Sequence, residues 1–534
     1  MATKKIPTRP SVETWHVTKP AIESAGGVVS SQHRLASEAG AEILARGGNA
    51  IDAAIAASFV LATVEPWMSG LGGCGYMMVR QSGAPGAQMV DFGTIASAAL
   101  DASHYPLTGS GGGDMFGWPA VLEDRNLKGY SSITLPTQVG GLTLAHERFG
   151  TTPWSELLAP AIASAEVGMT ADWYSTIAIA AAAADLAKDK TAAAIYLPDC
   201  FPPAGQWSLP APRIALGNLA RTLHRLAEAG GDEFYRGEIA EKVLADLATG
   251  GCPITRDEFS NYRARVVDVD AHAYRTAQVF AAPGLTAGPT LISALDSMQA
   301  KPQPDGEPNA KSFHRLATGL TGAIAARLAG AGDDAAREVG DCTSHIGVVD
   351  GDGTAVALTQ TLLSPFGAKT VLPETGILMN NGIMWFDPRP GRPNSIGPGK
   401  RPLSNMCPAI VETAGGLRAA LGASGGRRIL PAVLQVISFL IDHGMSVDEA
   451  IHQHRIDVVD TTRVAVDCRL SDDVFAALNT DFDASWAPHS VYPVLFACPN
   501  IAAWDSPGKR ALGAAFVLSP RAAVASADGT ENPV

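Results

Sequence analysis

The sequence predicts an α+β protein in which β-sheets stack face to face and helices cover them from outside. Three observations carry that expectation. Helices and strands are mixed at first, the pattern turns mostly helical from roughly Thr134 to Asp270, and strand signals dominate from Thr343 onward. No regular β-α-β alternation runs through the chain, as a doubly wound parallel sheet would need. No internal repeat divides it. At 534 residues, with 46% hydrophobic and 17% charged residues, the chain can bury a large core.

The elements follow in order. Residues Ala36 to Val64 read as two helices, the first with apolar residues at helical spacing. Gly47-Gly48 breaks it, where glycine can take the left-handed cap conformation. Asn49 or Asp52 can cap the second helix, which is apolar nearly all round and so expected to be buried, and Pro66 stops it. "SGLGGCGYMMVR" reads as a glycine-rich turn into a strand from Tyr76 to Arg80, and "AQMVDFGTIAS" as another strand. "TQVGGLTLAHERFG", "PWSELLAPAIASAEVG" and "RIALGNLARTLHRLAEAGGDEFYRGEIAEKVLADLATGG" read as helices, and the low-complexity "AIAAAAADLAKDKTAAA" as helical or mobile. Residues 300–313 read as a flexible connector, with a short helical stretch at about 314–331. Alternating runs at 345–349, 354–361, 375–379, 407–413 and 417–421 predict strands. "GASGGRRILPAVLQVISFLIDHG" predicts a strand, a glycine turn and a buried helix.

The net charge of −13 disfavours a nucleic-acid or anionic-membrane surface. No run reaches about 18 apolar residues, so no membrane span is predicted. The basic start, "MATKKIPTRPSVETWHVTKP", lacks an apolar stretch, so no secretory signal is read. A cytoplasmic protein is expected, or a periplasmic one if a signal has been removed. The seven cysteines, at 74, 200, 252, 342, 407, 468 and 498, are scattered, with no CxxC or His/Cys cluster. They read as reduced thiols, not as a disulfide or zinc framework.

One stretch carries chemistry: "DCTSHIGVVDGDGTAVALTQT", residues 341–361. A threonine hydroxyl is a weak nucleophile until a base takes its proton, and its own α-amine, with a pKa of about 8, can be that base. Thr343 would then have to be a chain terminus, made when its hydroxyl attacks the Cys342 carbonyl, the acyl group shifts from N to O, and water cleaves the ester. Read by itself, Thr343 is also an ordinary start to a strand, where threonine is favoured. Gly425-Gly426 in "GASGGRRIL" lies at a strand-to-helix turn where backbone N–H groups can converge as an oxyanion hole requires, or where a tight turn simply needs glycine. The glycines of "VEPWMSGLGGCGYMMV" allow the same two readings.

Five stretches in order, "GGNAIDAAIAASFVLATVEPWMSGLGGCGYMMV", "TSHIGVVDGDGTAVALTQT", "GILMNN", "PGKRPLSNMCPAIV" and "GASGGRRI", resemble the γ-glutamyltranspeptidase family of N-terminal-nucleophile hydrolases, from about Gly26 to Gly513. The resemblance implies a four-layer αββα sandwich made as an inactive precursor. Self-cleavage would leave a large subunit, residues 1–342, ending at Cys342, and a small one, 343–534, starting at Thr343, together forming one αββα domain. It implies Thr343 as nucleophile, Thr361 as the second threonine bonded to it, and Gly425 and Gly426 as the oxyanion hole. Ser404 matches the first of two serines that bind the donor carboxylate, and Asn405 replaces the second.

The departures are as informative. The family grips the α-carboxylate and α-amine of a γ-glutamyl group with an arginine, an asparagine, a Gln or Glu, and an aspartate; here those places hold Gly93, Leu363, Gly382 and Trp385. Losing the arginine fork removes a bidentate charged contact. A zwitterion set among Leu363 and Trp385 would be poorly compensated, a loss of several kcal/mol. The family's "ADR…GDP"-type segment is replaced by the short "GAGDDAAREVGDC".

The expected protein is therefore a self-cleaving threonine amidohydrolase acting on a small amide whose acyl group is not γ-glutamyl, in the manner of an acylase or oxamate amidase. It needs no metal or organic cofactor, and its partners are that substrate and its own two subunits, with a homodimer left open. Two alternatives stand beside it. One is a genuine γ-glutamyltransferase or glutathione hydrolase holding glutamate through Arg392, Arg401 or Arg427. The other is an uncleaved, inactive binding relative. His452 and His454 read as an exposed helix end, not a metal site; Arg427-Arg428 as groups capping or solvating a helix start; Trp385 as pocket wall. Residues 387–395, "DPRPGRPNS", lie where some relatives carry a lid loop.

Overall fold

Helix Arg34–Ala45 starts where the His33 side chain accepts from the Leu35 amide. Helix Ala50–Val64 starts in a capping box that uses both candidate caps: the Asn49 side chain accepts from the Ile51 and Asp52 amides, and Asp52 accepts from the Asn49 amide. Every residue of this second helix is buried. The computed structural model describes residues 7–10, 17–111, 118–304, 306–331, 342–458 and 460–529.

Two seven-stranded sheets hold the molecule together. The first has the order Ala523–Ser526, Gly27–Ser31, Ser344–Asp350, Ala355–Thr361, Cys74–Arg80, Ala87–Phe92, Arg265–Val269, antiparallel throughout. The second runs Ile22–Ser24, Arg510–Ala515, Cys498–Asp505, Leu417–Ser424, Ala409–Glu412, Ala277–Ala281, His272–Tyr274, also antiparallel.

Period-two alternation divides the first sheet cleanly. Ile346, Val348, Val356, Leu358, Met77, Val79, Val90 and Phe92 join the apolar core beneath the helices Arg34–Ala45 and Ala50–Val64. Val349, Ala355, Ala357, Cys74, Tyr76, Met78 and Met89 face the second sheet. The far side of that second sheet is covered by helices Gly288–Gln299, Ala310–Ala331 and Ile429–Ile441. The layers are thus helix, sheet, sheet, helix, as the resemblance implies.

Several local expectations change. The run 375–379 forms no strand; only the isolated bridges Val371–Leu378 and Gly72–Met379 fall there. The helical stretch expected at 314–331 is the 22-residue helix Ala310–Ala331. The connector before it is pinned, since Arg275 donates to the Lys301 carbonyl and Arg315 to the Pro302 carbonyl. The alanine-rich stretch is two helices, Trp173–Leu186 and Lys190–Tyr196. Among the described residues no helix is long and apolar enough to cross a membrane. Of the short stretch that replaces the family's upstream segment, residues 332–341 lie outside the described residues.

Candidate active site

Strand register lines up the site. His345 lies opposite Thr359, Thr359 opposite Tyr76, and Tyr76 opposite Asp91. One rung further, Thr361 lies opposite Cys74. All of these point into the space between the sheets, because alternate residues of a strand share a face. Thr343, two residues before His345, falls on the same face and is almost fully buried.

In the intact chain two hydroxyls converge on one carbonyl. Thr343 Oγ1 donates to the Cys342 carbonyl oxygen at 2.6 Å, and Thr361 Oγ1 donates to the same oxygen at 2.6 Å. The Leu363 amide donates to Thr361 Oγ1 at 2.7 Å, which leaves the threonine proton for the carbonyl. Leu363 does this from φ +83°, a left-handed conformation unusual for leucine. Strain of this kind persists where the surroundings over-determine it.

Ser344 faces the other way, toward the helices. Its Oγ lies 3.5 Å from Glu65 Oε2, at the end of helix Ala50–Val64, and accepts from Ser69 Oγ at 3.2 Å. Gln360 donates to Ser69 at 3.0 Å, and Ser58 to Gln360 at 2.6 Å. Burial pushes the Glu65 carboxyl up to about 8, partly opposed by Arg521 and by Ser344. Sequence reading missed this network; "VEP" carries no local sign that its glutamate will lie under the residue after Thr343.

The second sheet supplies the turn at Gly425-Gly426. A Cβ on Gly422 would collide with the His345 ring, and one on Gly347 would lie 3.2 Å from the Ala420 carbonyl oxygen. Gly425 has φ +135° and Gly426 φ +52°, conformations open to glycine, and a Cβ at Gly425 would press on the Ala497 backbone at 2.9 Å. Arg427 and Arg428 are not solvated as expected: their guanidinium groups lie 3.4 and 3.7 Å from the buried Asp457. His452 ends helix Val447–His452 with its ring nitrogen on the Asp448 carbonyl at 2.9 Å. Among the described residues no cluster of three or more His, Cys, Asp or Glu could hold a metal.

A Cβ at Gly93 would strike the Tyr76 hydroxyl, and a Cβ at Gly382 would strike Thr134 Oγ1. At two of the four places where the resemblance implies a clamp residue, neighbours therefore fill the space a side chain would need. Asn380 accepts from the Thr134 amide and hydroxyl at 3.1 and 2.6 Å, and Asn381 accepts from the Ser364 amide at 3.2 Å. Asn381 thereby holds the start of the turn Gly382–Trp385 against the loop that holds Leu363, while Asn380 ties it to Thr134. Leu363 and Trp385 share one apolar cluster with Cys74, Tyr76, Met384 and Met406. Ser404 is buried, its Oγ accepting from the Met406 amide at 3.2 Å and its carbonyl from Arg327 at 2.8 Å, while Asn405 is half-buried. Tyr76 and Thr134 had no signal in the sequence, because their importance comes from what lies beside them across strands and loops.

The arginines suggested as a substitute clamp are differently employed. Arg401 donates to both oxygens of Asp91, at 2.9 and 3.0 Å, and Arg265 adds two bonds to the same carboxylate at 2.8 and 2.6 Å. Arg427 is held at Asp457. Arg392 is exposed on the loop 387–395, which Asp387 and Arg389 tie together at 2.8 Å.

The model of the family described as gamma-glutamyltranspeptidase matches residues 36–342 and 332–490. The chain belongs to the γ-glutamyltranspeptidase family. Within it, the chain is 33% identical over 477 residues to a protein named acylase ACY 1 proenzyme from Pseudomonas sp. (strain V22), covering 82% of this chain and 83% of that one. It is 31% identical over 481 residues to a glutathione hydrolase proenzyme from Pseudomonas sp. (strain A14), covering 80% and 81%. The structure of a cephalosporin acylase from Bacillus halodurans superposes with a TM-score of 0.83 at 21% identity, covering 98% of this chain and all of that one, which shows a shared fold. This γ-glutamyltranspeptidase-family chain is thus an N-terminal-nucleophile hydrolase by fold and an enzyme of amide bonds by family.

Proposed function

We propose that this protein is a self-cleaving threonine amidohydrolase whose substrate is a small amide with a non-γ-glutamyl acyl group. The observation that carries the reading is the pair of hydroxyls, Thr343 and Thr361, on the single carbonyl oxygen of Cys342. Thr343 Oγ1 attacks the Cys342 carbonyl carbon, Thr361 holds the oxygen as it gains charge, and the Thr343 nitrogen takes the proton as it leaves. Water hydrolyses the resulting ester. Residues 1–342 and 343–534 become two subunits of one folded unit, and Thr343 gains a free amine. Relatives named proenzymes support processing.

The same atoms then turn over substrate. The amine relays the proton of Thr343 Oγ1, the hydroxyl attacks the amide carbonyl, and the N–H groups of Gly425 and Gly426 receive the oxyanion. The amine product departs, and water releases the acid from the acyl-threonine. Relatives named both acylase and glutathione hydrolase leave the acyl group to be argued from the site. Leu363 and Trp385 provide no partner for a glutamyl ammonium, and Gly93 and Gly382 no room for the missing side chains. A site whose polar partners are wrong discriminates by about 10⁴.

A denaturing gel with N-terminal sequencing of the smaller band tests processing: two bands, the smaller beginning at Thr343, are expected. A single band of about 55 kDa from active, folded protein would overturn it. Turnover of simple acyl anilides in preference to γ-glutamyl anilide tests the acyl group, and the reverse preference would sink that half of the reading.

A further inference from the structure

We propose that the segment Met68-Ser69 is a cradle that aims Thr343 and Thr361 at one oxygen, with Ser69 as a positioning residue for self-cleavage. The inference deepens the proposed function and rests on it. Met68 and Ser69 reach all four residues that flank the two threonines. The Met68 carbonyl accepts from the Cys342 thiol at 3.3 Å and from the Leu362 amide at 3.0 Å. Ser69 Oγ accepts from Gln360 Nε2 at 3.0 Å and donates to Ser344 Oγ at 3.2 Å. Cys342 and Ser344 bracket Thr343, and Gln360 and Leu362 bracket Thr361. These bonds go to neighbours of the threonines, so the role is one of positioning.

Ser344 and Gln360 are partners on one rung of the hairpin. Successive residues of a strand point to opposite faces, so holding this rung from the helix side fixes the aim of Thr343 and Thr361 on the other. One hydroxyl bridges the rung, and neither strand end can twist without breaking a bond to it. The bridge is part of a directed chain. Gln138 Nε2 donates to Ser58 Oγ at 3.0 Å, Ser58 to Gln360 Oε1 at 2.6 Å, Gln360 to Ser69, Ser69 to Ser344, and Ser344 toward Glu65 Oε2 at 3.5 Å. A serine has one proton to donate, and each of the three is committed along this chain. All six side chains belong to residues 3% exposed or less. A bond lost here leaves a buried polar group unpaired, which costs more than an exposed one would. The glycines after Ser69 let the segment come this close. A Cβ at Gly73 would lie 2.5 Å from the Thr361 carbonyl oxygen, and the Gly73 amide donates to the Gly70 carbonyl at 2.9 Å. The run "SGLGG" is thus a close-approach turn against the strand that ends at Thr361.

The test follows pulse-labelled full-length chain on a denaturing gel, with Tm measured to confirm folding. Ser69→Ala should lengthen the precursor half-life about tenfold, the effect of one buried hydrogen bond. The bridge sets the two threonines relative to each other, so it matters only while both act. In a Thr361→Ala background, Ser69→Ala should therefore add less than about twofold. A folded Ser69→Ala chain that cleaves at the wild-type rate overturns the inference. Equal slowing in both backgrounds also overturns it, since a merely structural loss would act alike in each. If Ser69→Ala fails to fold, Ser344→Ala removes the same bond from its other end and carries the same two comparisons. Failure of the underlying reading looks different: the wild-type chain itself is then not cleaved before Thr343.

Discussion

Thr343 and Thr361 direct their hydroxyls at the same oxygen, that of Cys342, each at 2.6 Å. One lies at the head of strand Ser344–Asp350 and the other at the end of strand Ala355–Thr361, so the hairpin register alone makes them neighbours. If Thr343 is the nucleophile, Thr343→Ala yields a single uncleaved chain with no turnover. Thr343→Ser keeps the hydroxyl and should cleave, more slowly. Band ratios over time on a denaturing gel follow both, and cleavage in the alanine variant would exclude Thr343.

In the proposed self-cleavage, Thr361 supplies one donor to the Cys342 oxygen as that oxygen becomes negative. Removing one such donor slows an acyl transfer by about 10²–10³. Thr361→Ala should lengthen the half-life of the precursor by that order, and Thr361→Ser should recover most of it. A precursor half-life unchanged in the alanine variant would remove Thr361 from the mechanism.

Glu65 gives the protein a pH dependence of stability. Its carboxyl titrates near 4.5 unfolded and is pushed up to about 8 by burial in the fold. Between those values the folded state holds a proton the unfolded state has lost, so stability falls as pH rises. The loss is absent below about 4.5, grows through that window and is complete above about 8, worth a few kcal/mol at most. Glu65→Gln cannot ionise. Its Tm relative to wild type should rise between pH 5 and pH 8.5, and a constant difference across that range would contradict the assignment.

Gly93 and Tyr76 are coupled by volume. A methyl at Gly93 meets the Tyr76 hydroxyl, and overpacking of this kind costs about 1–3 kcal/mol. Gly93→Ala should lower the denaturant midpoint, and pairing it with Tyr76→Leu should cost less than the two changes separately. Strict additivity in that double-mutant cycle would mean the two positions do not touch.

Leu363 sets backbone strain against burial. Glycine at φ +83° would relieve about 1–2 kcal/mol. Deleting a buried leucine side chain costs about 2–5 kcal/mol. Burial wins, so Leu363→Gly should unfold at lower denaturant, and a more stable variant would show that the side chain packs against little.

Much of this was legible in the residues themselves. The helices at Arg34–Ala45 and Ala50–Val64, the hairpin at Ser344–Thr361 and the strand–turn–helix through Gly425-Gly426 are local structures, written in caps, periodicity and glycines a few residues apart. The candidate nucleophile Thr343 was legible for the same reason, as were the four departures at Gly93, Leu363, Gly382 and Trp385. What filled those departures was not. Tyr76 over Gly93, Thr134 against Gly382, Asp91 between Arg265 and Arg401, and Glu65 beneath Ser344 join residues tens to hundreds of positions apart. Local pattern is set by a residue's own backbone preferences and nearest neighbours, whereas which side chain enters a given volume depends on strand order and sheet stacking. The residue string by itself determined the family and the layered fold and singled out Thr343 as the candidate nucleophile; only the tertiary structure decided what surrounds that residue, because packing is a property of the assembled sheets.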